Sequence, residues 1–250
     1  MRRELYNHRR NIKLAEAFKS LLYRRLNHTH HDWWQYDIRR LLKKSKDLIT
    51  LNPTNHSPIV SFFESAPQYF QEDIEIAYKY DPSAYSIDEI AACYPGVQAL
   101  SLHRLAHCLY QSGIPIVPRI ISEYAHSRFG IDIHPGAVIG RSVFIDHGTG
   151  IVIGETASIG DHCRIYQGVT LGAKSFRRDE TGAFVKGELR HPQIRSDVTI
   201  YAGATLLGPI TVGSSSTIGA NVWLTNSVAK ESIILFSTQP SPALRGGDGI

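Results

Sequence analysis

From Ile133 to Leu224 an aliphatic or small residue returns every sixth position. The first run is Ile133, Ile139, Ile145, Ile151, Ala157, Cys163 and Val169; the second is Ile194, Ile200, Leu206, Val212, Ile218 and Leu224. That period is neither the roughly 3.6 of an amphipathic helix nor the alternation of a flat strand. It fits a coil of three short faces, with one side chain per hexad pointing inward and small residues at the corners. Gly154, Gly172 and Gly203 are among the corner residues, and glycine tolerates backbone angles that other residues avoid. Thirteen hexads, three to a rung, make a little over four rungs of a parallel β-helix.

Residues 1–130 lack the hexad beat and read as an all-helical domain. Helices are predicted near 3–26, 33–48, 57–65, 68–80, 86–93, 96–112 and 115–128, with Ser57-Pro58 as a start signal. Asn52-Pro53, Asp81-Pro82, Tyr94-Pro95-Gly96 and Gly113-Ile114-Pro115 supply the breaks. Such a block caps the open end of a solenoid and builds an oligomer interface. Trp33-Trp34 reads as core or as an interface anchor. The solenoid occupies 131–230 and extrudes a charged loop at 174–193. The rest, 231–250, is expected to be a flexible tail, rich in Pro, Gly and Ser from Ser237 onward. The fold class is therefore α+β.

The chain has 250 residues, 42% hydrophobic and 20% charged, with a formal net charge of +4. That balance suits a small anionic ligand, and no dense basic stripe argues for nucleic acid. The basic run Arg39-Arg40-Leu41-Leu42-Lys43-Lys44 reads as a solvated helix face. Three cysteines without a CxxC pair fit a reducing compartment. The start MRRELYNHRR leads into no sustained apolar stretch, so neither a signal peptide nor a membrane span is expected, and a cytoplasmic protein is.

The twelve histidines need sorting. His28, His30 and His31 in HTHHD lack distant ligands at matching spacing and read as a wet loop. His103 and His107 share a helix face without the Glu of a zinc-protease motif, so they pack or cap. His134, His147, His162 and His191 do not reproduce the histidine-rich rung of a zinc-bearing β-helix, and no metal is expected. His147 stands in Phe144-Ile145-Asp146-His147-Gly148-Thr149-Gly150. Neighbours on an extended rung point apart, so Asp146 is not expected to orient it. Asp132, fifteen residues earlier, falls one rung down and about three residues round the turn. An Asp–His pair without a serine or cysteine nucleophile suits a general base acting on a hydroxyl or amine. A surface histidine in a polar turn fits the same residues.

The segments DIHPGA (132–137), IDHGTG-IVIGET (145–156), YQGVTLGA (166–173), RHP (190–192) and IYAGATLLG (200–208) closely resemble the serine O-acetyltransferases of cysteine biosynthesis. YKYDPSA (78–84) and CYPGVQALSLHRLAH (93–107) are similar to that family's helical domain, in its branch with a PG turn. The resemblance spans roughly residues 72–228. It implies a left-handed β-helix, with acetyl-CoA as co-substrate and L-serine as acceptor. The dyad falls on His147 as base and Asp132 as its orienting carboxylate. The serine amino group falls to Asp81 and Asp146, and its carboxylate and hydroxyl region to Arg190 and His191. Acetyl-CoA contacts fall on Gly172, Ala173, Ala202, Gly219 and Ala220. The resemblance further implies a homotrimer or dimer of trimers, and L-cysteine as feedback inhibitor. It also implies that the tail ending in Ile250 binds O-acetylserine sulfhydrylase. The chain departs from many relatives in its longer charged loop before Arg190, in Tyr80 where they have glycine, and in lacking a VPA-type element after Leu224. Two rival readings are an acetyltransferase for a sugar or other small amine or alcohol, and a metalloenzyme like the γ-class carbonic anhydrases.

Overall fold

The computed structural model describes residues 8–27 and 56–237. Among the described residues five helices precede the solenoid: α1 (His8–Asn27), α2 (His56–Tyr80), α3 (Ile87–Cys93), α4 (Pro95–Gln111) and α5 (Val117–Phe129). The helices predicted at 57–65 and 68–80 are one, running through Pro67. Proline deletes one helical N–H, but Phe63, Ala66, Phe70 and Ile74 keep both halves in one buried core. Ser86 starts α3 by accepting the Glu89 N–H at 3.1 Å. HTHHD, Trp33-Trp34, the basic run at 39–44 and Ile250 lie outside the described residues.

The solenoid has three parallel faces. The first stacks β1 (Ile131–Ile133), β4 (Ile151–Ile153), β7 (Thr170–Gly172), β10 (Thr205–Leu207) and β13 (Trp223–Leu224). The second stacks β2 (Val138–Ile139), β5 (Ser158–Ile159), β8 (Gln193–Ile194) and β11 (Thr211–Val212). The third stacks β3 (Phe144–Ile145), β6 (Arg164–Ile165), β9 (Thr199–Ile200), β12 (Thr217–Ile218) and β14 (Ile233–Ile234). Two residues per hexad point inward, not one: Ile131 with Ile133, Val143 with Ile145, Cys163 with Ile165 and Ala204 with Leu206 are all buried.

This second inward position corrects the hexad reading. Ile131 stacks on Ile151 and Ile145 on Ile165. The corner joining the third face to the first is five residues, 146–150, in the first rung, but three, 166–168, in the second. The extra two residues shift the phase from one inward position to the other, so the period of six runs on unbroken. The enlarged corner carries His147.

The helical unit is pinned to the solenoid by a buried ion pair. Arg104 on α4 meets Asp73 on α2 at 2.9 Å and donates to the Ile139 and Gly140 carbonyls at 3.3 and 3.0 Å. Asp73 also accepts the Val143 N–H. Burial pushes the Asp73 carboxyl up to about 6, against the opposing pull of Arg104. Gly96 of the PG turn lies directly on the Ile145 carbonyl, where a Cβ would collide with backbone. Between β7 and β8 the charged loop makes its own small hairpin, with an antiparallel bridge from Arg178 to Phe184 and an Arg177–Glu188 ion pair at 2.6 Å. Among the described residues no helix is long and apolar enough to cross a membrane.

Candidate active site

The corner at 146–150 is built by its backbone. Asp146 N–H donates to the Ile165 carbonyl at 3.0 Å, and Gly150 N–H to that of Gly130 at 2.8 Å. Gly148 has φ +85°, and a Cβ there would sit 2.5 Å from Ile131 Cδ1, so the close turn requires glycine. His147 itself has φ +54°, an uncommon conformation for a non-glycine residue. Having left the extended conformation, it also escapes strand alternation. Its Nε2 lies 3.7 Å from Asp146 Oδ1, which corrects the expectation that Asp146 points away. The imidazole is 71% exposed while its backbone is fixed, an arrangement suited to meeting a ligand.

Asp81 comes to this corner from the end of α2. Its carboxylate accepts from the Ser83 N–H at 2.8 Å, the Ser83 hydroxyl and the Tyr94 hydroxyl. The Ser83 and Tyr94 hydrogen bonds hold it below the usual carboxylate range, and His147 adds to that pull. Burial and the Asp81 bond push the Tyr94 phenol up to about 12. Asp132 lies on the outer side of β1, in register with Val152 of β4. Among the described residues no hydrogen bond or ion pair joins it to His147; its charge is felt by His134.

Arg190 and His191 stand at a different corner, where the first face turns into the second. Arg190 is ion-paired with Glu155, which also accepts from the Tyr110 hydroxyl at 3.2 Å. His191 is buried over Gly154, and its Nδ1 faces the Thr156 N–H at 3.1 Å and Oγ1 at 2.8 Å. Burial, then the neighbouring Arg190, lowers its pKa to about 4, so the ring is neutral at physiological pH. Thr156 Oγ1 in turn accepts the backbone N–H groups of Arg190 and His191. The bond from Thr156 N–H makes Nδ1 an acceptor, so Nε2 carries the proton.

Of the residues assigned to acetyl-CoA, Gly172 ends β7 and Ala173 follows it, on the Arg190 side. Ala202, Gly219 and Ala220 line the same edge as His147, two and three rungs above it. The residues assigned to serine and acetyl-CoA thus fall on two edges of the first face. Sequence reasoning missed the residues that hold these groups in place: Tyr94 and Ser83 around Asp81, and Glu155, Thr156 and Tyr110 around Arg190 and His191. Glu155 and Thr156 belong to the IVIGET segment, Ser83 to YKYDPSA and Tyr94 to CYPGVQALSLHRLAH, so each carried a signal; Tyr110 lies in none of these segments and carried none. His103 is buried with Nδ1 unpartnered, and His107 Nδ1 lies 2.8 Å from the Pro135 carbonyl. No group of three or more potential metal ligands occurs among the described residues.

No protein-family model matches the chain. A plasmid-borne serine acetyltransferase of Synechococcus elongatus is 59% identical over 193 residues, 76% of this chain and 60% of that protein. The serine acetyltransferase of Mycobacterium tuberculosis is 45% identical over 177 residues, 68% of this chain and 73% of that one. The chain belongs to the serine acetyltransferase family. It spans about three fifths of the Synechococcus family member's length. Among solved serine acetyltransferases, Entamoeba histolytica isoform 3 in complex with cysteine superposes with a TM-score of 0.77 at 36% identity, covering 93% of this chain and 83% of that one. The Brucella abortus enzyme in complex with coenzyme A gives 0.66 at 31%, covering 90% and 80%. The Neisseria gonorrhoeae enzyme in complex with serine gives 0.65 at 28%, covering 92% and 83%.

Proposed function

We propose that this chain transfers the acetyl group of acetyl-CoA to the hydroxyl of L-serine, giving O-acetylserine and CoA. The observation that carries the reading is the pair of carboxylates beside an exposed histidine. Asp81 and Asp146 offer an ammonium group two anionic acceptors within reach of a base. A neutral sugar has no ammonium group to place between them. The His147 imidazole in its neutral form can take the serine hydroxyl proton as the oxygen attacks the thioester carbonyl. The tetrahedral intermediate collapses with cleavage of the C–S bond. His147 then returns the proton to the departing CoA thiolate. The Asp146 carboxylate, 3.7 Å from Nε2, favours the imidazolium that forms in between. Asp132 remains our orienting carboxylate; its support is its position on the outer side of β1, next to the strand that follows His147.

Arg190 and His191 take the serine carboxylate and hydroxyl region in this reading, but they occupy the other edge of the first face. The site is therefore assembled from two chains, the His147 edge of one copy meeting the Arg190 edge of the next, in a homotrimer or a pair of trimers. Acetyl-CoA lies in the same cleft, against Ala202, Gly219 and Ala220 of one copy and Gly172 and Ala173 of the other. The coenzyme A complex of the Brucella relative supports a CoA donor. The serine and cysteine complexes of the Neisseria and Entamoeba relatives support L-serine as acceptor and L-cysteine as competing inhibitor. A sulfhydrylase that consumes the product is proposed as a partner, bound through the segment that contains Ile250. We further propose that the enzyme works in the cytoplasm. Thiol release from acetyl-CoA, measured with L-serine and with small sugars, tests the reaction. Serine-dependent release supports it; release with a sugar and none with serine overturns it.

A further inference from the structure

The Asp81 carboxylate belongs to the helical unit, whereas Asp146 and His147 belong to the first solenoid rung. Their geometry depends on how the end of α2 is tied to that rung. Asp81 N–H makes the last helical bond, to the Ala77 carbonyl at 2.9 Å, so the direction of the Asp81 side chain follows the rotation of this final turn. Tyr94 and Ser83 fix the carboxylate, but both are themselves in the helical unit.

The preceding residue makes the tie. The Tyr80 ring packs on Phe144, two residues before Asp146, with centroids 6.2 Å apart. From the next rung, the Arg164 guanidinium lies 4.5 Å over the Tyr80 centroid, and Lys79 Nζ lies 5.6 Å from it. Arg164 stacks directly above Phe144 in the register of the third face. Tyr80 is thus held by two successive rungs, and among the described residues Arg164 has no carboxylate partner to draw it away.

We infer that Arg164 is a positioning residue for the acyl acceptor: stacked on Tyr80, it fixes the angle at which Asp81 approaches Asp146 and His147. This rests on the serine-acetylating reading above. Its energetic scale is that of a cation–π contact, which corresponds to a change of about three- to tenfold in acceptor binding.

The test is steady-state kinetics of the full chain and its Arg164→Met, Arg164→Lys, Tyr80→Ala and Tyr80→Phe variants, with a thermal melt of each. Arg164→Met and Tyr80→Ala should raise the serine KM about three- to tenfold while the acetyl-CoA KM moves less than about twofold. Arg164→Lys and Tyr80→Phe, which keep a cation and a ring, should restore most of the affinity. The double variant should be no worse than the poorer single one, since both remove the same contact. An unchanged serine KM in Arg164→Met, or serine and acetyl-CoA constants rising together with a fallen melting temperature, overturns the positioning role alone. A wild-type chain inactive on serine overturns both it and the reading beneath it.

Discussion

At His147 a strained backbone and a reactive side chain coincide. The positive φ, the glycine that follows and the two extra residues of the corner together lift the imidazole clear of the rung. His147→Ala removes no packing and keeps a Cβ at the same positive φ, so its melting temperature should hold while kcat falls about 10²–10⁴-fold. The two aspartates divide by kinetics. Asp132→Asn should lower kcat with little change in serine KM, and Asp146→Asn should raise serine KM. Steady-state measurements with the opposite split would exchange their roles. Gly154→Ala pushes a methyl group into the His191 ring, which Thr156 holds on its other side. Serine KM should rise in that variant with His147 chemistry intact, as a pH–rate profile of kcat would show.

Among the elements, the α2–α4 pair carries the largest single electrostatic commitment. Asp73 is 1% exposed, and Arg104 is its counterion. Arg104→Met leaves a buried carboxylate unpaired and should cost about 3–5 kcal/mol in urea denaturation, with much of the loss recovered by adding Asp73→Asn. An unaffected denaturation midpoint would show the pair to be dispensable. This pair also marks where the sequence stops being legible. The period of six announced the solenoid, and the motifs singled out His147, Arg190 and His191 as candidates. Asp73 and Arg104 gave no sign, because an ion pair 31 residues apart leaves no local pattern. The same holds for Tyr80 with Arg164 and for Tyr94 with Asp81. The two-residue insertion stayed hidden for another reason: each hexad has two apolar positions two residues apart, so the shift replaced one with the other. Pro67 misled because tertiary burial overrode a local helix breaker.

For the molecule as a whole, acid should be destabilising. His103, His134 and His191 all have lowered pKa values, with burial the first cause in each. A histidine at about 4 in the folded chain and about 6.5 unfolded binds its proton preferentially when unfolded, so stability falls as pH drops from about 6.5 towards 4. Asp73, raised to about 6, acts oppositely between about 4 and 6, but it is one group against two buried histidines. Urea denaturation should show a loss of roughly 1–3 kcal/mol between about pH 7.5 and 5.5. His191→Asn should flatten that slope; equal stability at both pH values would mean the histidines titrate normally.

The two-edged first face makes the most demanding claim: each site needs His147 from one chain and Arg190 from another. Mixed oligomers test it directly. His147→Ala and Arg190→Ala chains, each inactive alone, are unfolded together, refolded at equal concentration and assayed with L-serine and acetyl-CoA. Random assembly leaves about one quarter of the sites with both intact residues, so about a quarter of wild-type activity should return. Activity no greater than that of the two variants refolded separately would place both residues of a working site on one chain and contradict the shared-site account.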